Sequence, residues 1–189
     1  MKSFVLTAFM CISTLLANAQ ESIRWSESQP LNWDDFTGKV NDTSKFDAEC
    51  FAEIKYNYIF YSLSDFEFEV YANFDKNSSW SRREMQSSSL LKHEQMHFNI
   101  AELFAEKLQK DFNSYSYTAS TYSLEINQLF DQRKSEYHAM QLQYDEETNH
   151  SLNKAKQQEW EEFVTNALRT TRLSLQLVRN NKKETVKGE

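Results

Sequence analysis

Turn-forming residues are nearly missing from this chain: its 189 residues include 2 glycines and 1 proline. That excludes collagen-like and low-complexity material and argues against a fold built on many tight turns. It also excludes a glycine-rich phosphate cradle, because Gly38 and Gly188 cannot form either common spacing. A basic excess is missing too. Lys and Arg number 21 against 28 Asp and Glu, a formal charge of −7, so no basic footprint for nucleic acid exists. Long apolar runs are absent as well. The longest, residues 4–16, falls short of the roughly 20 residues a membrane-spanning helix needs.

That short run has another reading. Met1-Lys2 gives a positive start, and Ala17-Asn18-Ala19 supplies the small-x-small pattern of a signal-peptidase site. Residues 1–19 are therefore expected to be a signal peptide, with Gln20 the first mature residue and the protein periplasmic or secreted. No membrane span remains in the mature chain. Of the two cysteines, Cys11 lies in the signal and only Cys50 survives. A disulfide framework and a thiolate zinc cluster are both excluded, and Cys50, among small and apolar neighbours, reads as a structural thiol.

What is present is core-forming material: 40% apolar and 14% aromatic residues, enough for one folded domain. Residues 20–45 read as an irregular segment anchored by Trp25, Leu31, Trp33 and Phe36. Two period-two alternations follow. Ala52, Ile54, Tyr56, Tyr58 and Phe60 share one face of the first, and Phe66, Phe68, Val70, Ala72 and Phe74 one face of the second. Separated by Ser62-Leu63-Ser64-Asp65, they predict an antiparallel hairpin. The period then becomes helical over about 88–112, 124–149 and 154–177. The expected fold is α+β: a small antiparallel sheet followed by three helices, as one domain over 20–178 with a charged, flexible tail at 179–189.

The chemistry lies in the first of these helices. His93-Glu94-Gln95-Met96-His97 is an H-E-x-x-H pattern. Residues four apart project from one helix face, about 6 Å apart along the axis, so two imidazoles can converge on one Zn²⁺. Glu94, turned about 100° from His93, lies beside the ion, where it can take a proton from a zinc-bound water. The metzincin extension of Gly and His is absent after His97, and Glu102 points about 180° away from His93. A third ligand must come from another element. His150, 53 residues after His97, fits an antiparallel helix returning past the first. Asp145 is the rival, as a direct ligand or as an acceptor behind a ligating imidazole. His138 is about three turns before His150 and too distant to share its ion.

Leu90-Leu91-Lys92-His93-Glu94-Gln95-Met96-His97, Ser79-Trp80 before it and Tyr144-Asp145-x-x-Thr148-x-His150 after it resemble a group of exported bacterial proteins. These are known as secreted zinc-dependent proteases or filed as a domain of unknown function. Leu31-Asn32-Trp33-Asp34-Asp35-Phe36-Thr37-Gly38 and Gln158-x-Trp160 resemble the same group, and Ser151 departs from it where Gly is expected. The resemblance implies a metallopeptidase-like site and strengthens His150 and Asp145.

The expected function is thus that of a zincin-like hydrolase acting on a peptide or protein substrate. His93, His97 and His150 hold Zn²⁺, Glu94 activates water, and Tyr144 is available to stabilise the oxyanion. The strand at 66–74 is expected to pair with an extended substrate. The alternative is a non-catalytic envelope binding or structural protein that keeps the zinc site, closed by a fourth protein ligand such as Asp145.

Overall fold

A computed structural model describes residues 21–63 and 65–187, with side chains in the last helix described as far as residue 177. The signal-peptide assignment at 1–19 lies outside the described residues. The elements run β1 (Ser22–Arg24), β2 (Ala48–Glu49), β3 (Ala52–Phe60), β4 (Phe66–Asp75), β5 (Trp80–Ser81), α1 (Ser88–Ser114), α2 (Tyr122–Thr148) and α3 (Lys154–Lys187). A small antiparallel sheet with three helices is the α+β arrangement expected. The helical backbone of α3 continues past Leu177, where the apolar pattern ends, so residues 179–187, expected as a tail, are helical. No Gly or Pro stands between Leu177 and Gly188 to stop it.

β3 and β4 form the predicted hairpin, in register from Ala52 opposite Phe74 to Phe60 opposite Phe66. β1 adds on the other side of β4, giving the order β1-β4-β3. β1 covers only the end of β4, and α1 side chains finish that edge. Val70 N–H donates to Gln109 Oε1 at 3.0 Å and Ala72 N–H to Glu102 Oε2 at 3.2 Å, while Ala72 C=O accepts Trp25 N–H at 3.0 Å. From Val70 to Asp75 the backbone of β4 is therefore engaged on both sides, which leaves that stretch no edge for a substrate. On β3 the outer edge is capped at Ala52, whose C=O accepts the Tyr137 hydroxyl at 2.8 Å, and is open beyond it among the described residues. Because Ala72 turns its backbone groups away from β3, Ile54 opposite it directs its own N–H and C=O outward, and the register puts Tyr56 in the same position.

α1 lies between the sheet and the other two helices, packing against β4, α2 and α3. Phe98, Ile100, Leu103, Phe104, Leu108 and Phe112 on it are almost fully buried. Its start is fixed by Ser87, whose side chain accepts Leu90 N–H at 3.2 Å. The 25–38 segment docks on its first half: Leu31 N–H donates to Gln95 Oε1 at 2.7 Å and Trp25 Nε1 to Asn99 Oδ1 at 2.8 Å. Gly38 presses on the turn after β4, where a Cβ would stand 2.6 Å from Asn77 O and 2.7 Å from Ser79 O. That contact admits no side chain.

The same turn carries the 45–52 segment, which reading by periodicity leaves undefined. β2 pairs with β5, Ser79 Oγ accepts Phe51 N–H at 2.9 Å, and Trp80 Nε1 donates to Glu49 Oε2 at 2.9 Å. Arg82 donates to Phe46 O and, through its backbone, to Asp47 O. Ser79-Trp80 is thus the bracket from which a strip of backbone hangs opposite α1.

Candidate metal centre

One turn of α1 separates His93 from His97, whose rings meet nearly perpendicular with centroids 4.7 Å apart and Nε2 atoms 3.2 Å apart. The last turns of α2 bring Asp145 to both. Its Oδ1 stands 3.2 Å from His93 Nε2 and 3.1 Å from His97 Nε2. Beyond it the chain turns sharply through three consecutive left-handed residues, Asn149, His150 and Ser151, with φ of 47°, 50° and 77°. A side chain in that region is strained, and Gly is the residue that relieves it. The turn points His150 back, with Nδ1 3.4 Å from Asp145 Oδ1 and its ring 4.5 Å from that of Phe46. Candidate ligand atoms of His93, Asp145 and His150 lie within 4.8 Å of one another.

Two glutamines decide where the imidazole protons are. Gln141 donates its Nε2 to His97 C=O at 2.9 Å, which leaves Oε1 facing His97 Nδ1 at 2.5 Å. Gln157 Oε1 accepts the Tyr144 hydroxyl at 2.7 Å and lies 3.2 Å from His93 Nδ1. An amide oxygen only accepts, so each glutamine favours a hydrogen on the Nδ1 it faces, in competition with Asp145 at Nε2. In the neutral imidazoles both Nε2 lone pairs then face the Asp145 carboxylate oxygen. Acceptors this close repel unless a proton on one Nε2 or a cation lies between them. Bonds of about 2.05 Å in a tetrahedral zinc site place ligand atoms about 3.3 Å apart, and the contacts here run from 3.1 to 3.4 Å.

The charges fit this arrangement. Burial pushes the His93 imidazolium down, against the opposing pull of Asp145, so a proton is disfavoured where the lone pairs meet. His97 is raised despite its burial, because Asp145 and Glu94 favour its charged form. Burial alone would raise Asp145, yet hydrogen bonds to the two imidazoles hold its carboxyl well below the usual range. Glu94 is 3% exposed and pushed up to about 7 by burial, with His97 opposing, while the Cys50 N–H donates to its carboxylate. A base poised near neutrality is suited to accepting and returning a proton.

These groups line a cavity of about 570 Å³, closed on the far side by the 45–52 strip. Of the residues singled out in the sequence, His93, Glu94, His97, Asp145 and His150 all meet there. Tyr144 does not. It is fully buried, its ring stacks on His93 at 4.7 Å, and its hydroxyl is given to Gln157. Tyr144 therefore buttresses a histidine and presents no donor to an oxyanion, because it is turned about 100° round α2 from Asp145. His138 stands at the cavity rim, apart from the converging atoms. Cys50 contributes its backbone to Glu94, and burial pushes its thiol up. Sequence reading missed Gln141, Gln157 and the 45–52 wall. Gln141 was findable, one turn before Asp145 on the same face of α2, but nothing in the sequence marks Gln157.

Residues 70–151 match the model of a family described as a bacterial protein of unknown function (DUF922). The match spans most of β4, all of α1 and α2, and the His150 turn. No curated protein and no solved structure matches the chain.

Proposed function

We propose that this protein is an exported zinc-dependent hydrolase of peptide bonds, with the metal held by His93, His97 and Asp145 and with Glu94 as the base. The observation that carries this reading is the meeting of two Nε2 lone pairs and Asp145 Oδ1 within 3.2 Å of one another, beside a buried carboxyl at the floor of a cavity. Asp145 takes precedence over His150 because its Oδ1 touches both histidines of α1, whereas His150 reaches the group through Asp145. When bound, Zn²⁺ acidifies a water molecule and polarises a carbonyl. Glu94 takes the proton of that water on its carboxylate and passes it to the leaving amine, and the Cys50 N–H keeps the carboxylate aimed.

The cavity wall supplies a place for substrate. Arg82 N–H bonds Asp47 O, so Ala48, next in β2, turns its backbone groups away from β5 and toward the cavity. Ile54 and Tyr56 present a second outward edge to a groove of about 430 Å³ between β3 and α2, past Ala52, whose C=O accepts the Tyr137 hydroxyl at 2.8 Å. Phe51, Ala52, Tyr137 and His138 line both spaces. An extended chain lying there replaces the strand-pairing role first expected of β4.

A second reading has one observation in its favour. Asp145 Oδ1 lies within 3.4 Å of all three imidazoles, so four protein ligands could close the site and leave a structural zinc. Glu94→Gln separates the two. On the catalytic reading the variant binds zinc like the wild type and loses at least about 100-fold in cleavage of fluorescently labelled casein. Cleavage at the wild-type rate would remove Glu94 from the mechanism.

A further inference from the structure

We infer that Gln141 and Gln157 are positioning residues of the metal centre: as neutral acceptors they fix the tautomers of His97 and His93 and so set how tightly zinc is held. This rests on the zinc reading above, but part of its test does not.

The two amides come from different helices and are each tied down from a second side. Gln141, on α2, spans His97 with both its ends, accepting at Nδ1 and donating to the backbone carbonyl. Gln157, on α3, is 6% exposed, and its Oε1 also takes the Tyr144 hydroxyl. Its Nε2 faces Glu161 Oε1 at 3.5 Å, which fixes the amide the same way round. Neither amide can rotate without losing a second bond, so neither imidazole can move its hydrogen to Nε2 without facing an acceptor with a lone pair. A histidine that ligates a metal ordinarily gives its other N–H to a carboxylate or a carbonyl, and that partner raises its basicity. Here both partners are uncharged. The imidazoles thus stay weaker donors than a carboxylate partner at Nδ1 would make them.

Gln157 has a further consequence. It lies outside the matched family segment of 70–151, so α3 completes a centre whose metal-facing atoms all belong to that segment.

The test uses the full chain from Gln20 onward and Zn²⁺ itself. In the metal-free protein at pH 8, proton–nitrogen correlation spectra of the imidazoles are expected to show an Nδ1–H share at both His93 and His97, held by the glutamines against the pull of Asp145 on Nε2. Gln157→Leu moves His93 toward the Nε2–H form and leaves His97 unchanged, and Gln141→Leu does the reverse. Competition with a chromophoric chelator is expected to show zinc affinity about 10–100-fold weaker in each Leu variant. Gln157→Glu restores it to the wild-type value or above, which a purely packing role would not. Unchanged tautomers in both Leu variants would overturn the inference, as would a Glu variant as weak as the Leu one. Were the wild type to bind no zinc, the metal reading would fall while the tautomers still decided the role of the glutamines.

Discussion

The two halves of α1 both bury charge, and they do so in opposite ways. In its second half Glu102 and Glu106 lie against β4, the Trp25 segment and α3. Glu102 accepts the Ala72 N–H, and Glu106 Oε1 accepts Arg172 Nε at 2.5 Å. Arg172 in turn bonds Glu27 at 3.0 Å and covers the Trp25 ring. Acceptors there meet donors, apart from Glu106 Oε2, which has no partner among the described residues. In the first half the Nε2 atoms of His93 and His97 meet on Asp145 Oδ1, an arrangement that a proton or a cation completes. Buried polarity is therefore not what marks a site on this helix. Both ends have it, and one of them serves as a substitute strand edge and a clamp on α3. The mark is the convergence of two imidazoles and a carboxylate on one point, a donor set that suits a cation.

That contrast can be broken at the structural end first. Burial, with Glu106 adding to it, pushes the Glu102 carboxyl from its ordinary 4.5 up to about 7. A folded-state value above the unfolded one means that the native chain holds the proton longer. Its stabilising share is complete below about pH 4.5 and is lost as pH rises toward 7. Glu102→Gln keeps an acceptor for Ala72 without the charge. Urea unfolding should show the variant equal to wild type near pH 4.5 and more stable at pH 8, by up to about 3 kcal/mol. Equal stability at both pH values would mean that burial does not raise the Glu102 carboxyl. Zinc binding should be unaffected, which keeps the two halves distinct.

A smaller effect sharpens the other half. Ser151 holds φ of 77° in the turn that aims His150. Ser151→Gly is expected to relieve about 1 kcal/mol of backbone strain and raise the melting temperature by a few degrees. No change, or a lower melting temperature, would show that the side chain is accommodated there. The position was visible in the sequence as a departure from an expected Gly, and the left-handed backbone supplies the reason for that expectation.

Much of the fold was legible for a plain physical cause. β3, β4 and the helices are long enough for their periods to register, and the limits of β3 agree to the residue. β1, β2 and β5 span two or three residues each, too few for an alternation to appear. Their loss hid the 45–52 strip, which forms half of the cavity. On α1 the motif fixed three residues through local spacing. The relation of Asp145 to His150 depends on a turn of three left-handed residues that no glycine announces. Gln157 depends on how α3 docks, a matter of tertiary packing that leaves no local pattern.

If His93, His97 and Asp145 converge to hold a cation, as we propose, zinc will bind at that point. Calorimetry of the refolded chain from Gln20 onward should give one equivalent of Zn²⁺. Asp145→Asn should lose that binding by orders of magnitude, while His150→Ala loses less, on the order of 10–100-fold. A wild-type chain that takes up less than about half an equivalent, or whose zinc affinity is indifferent to Asp145→Asn, would contradict the account.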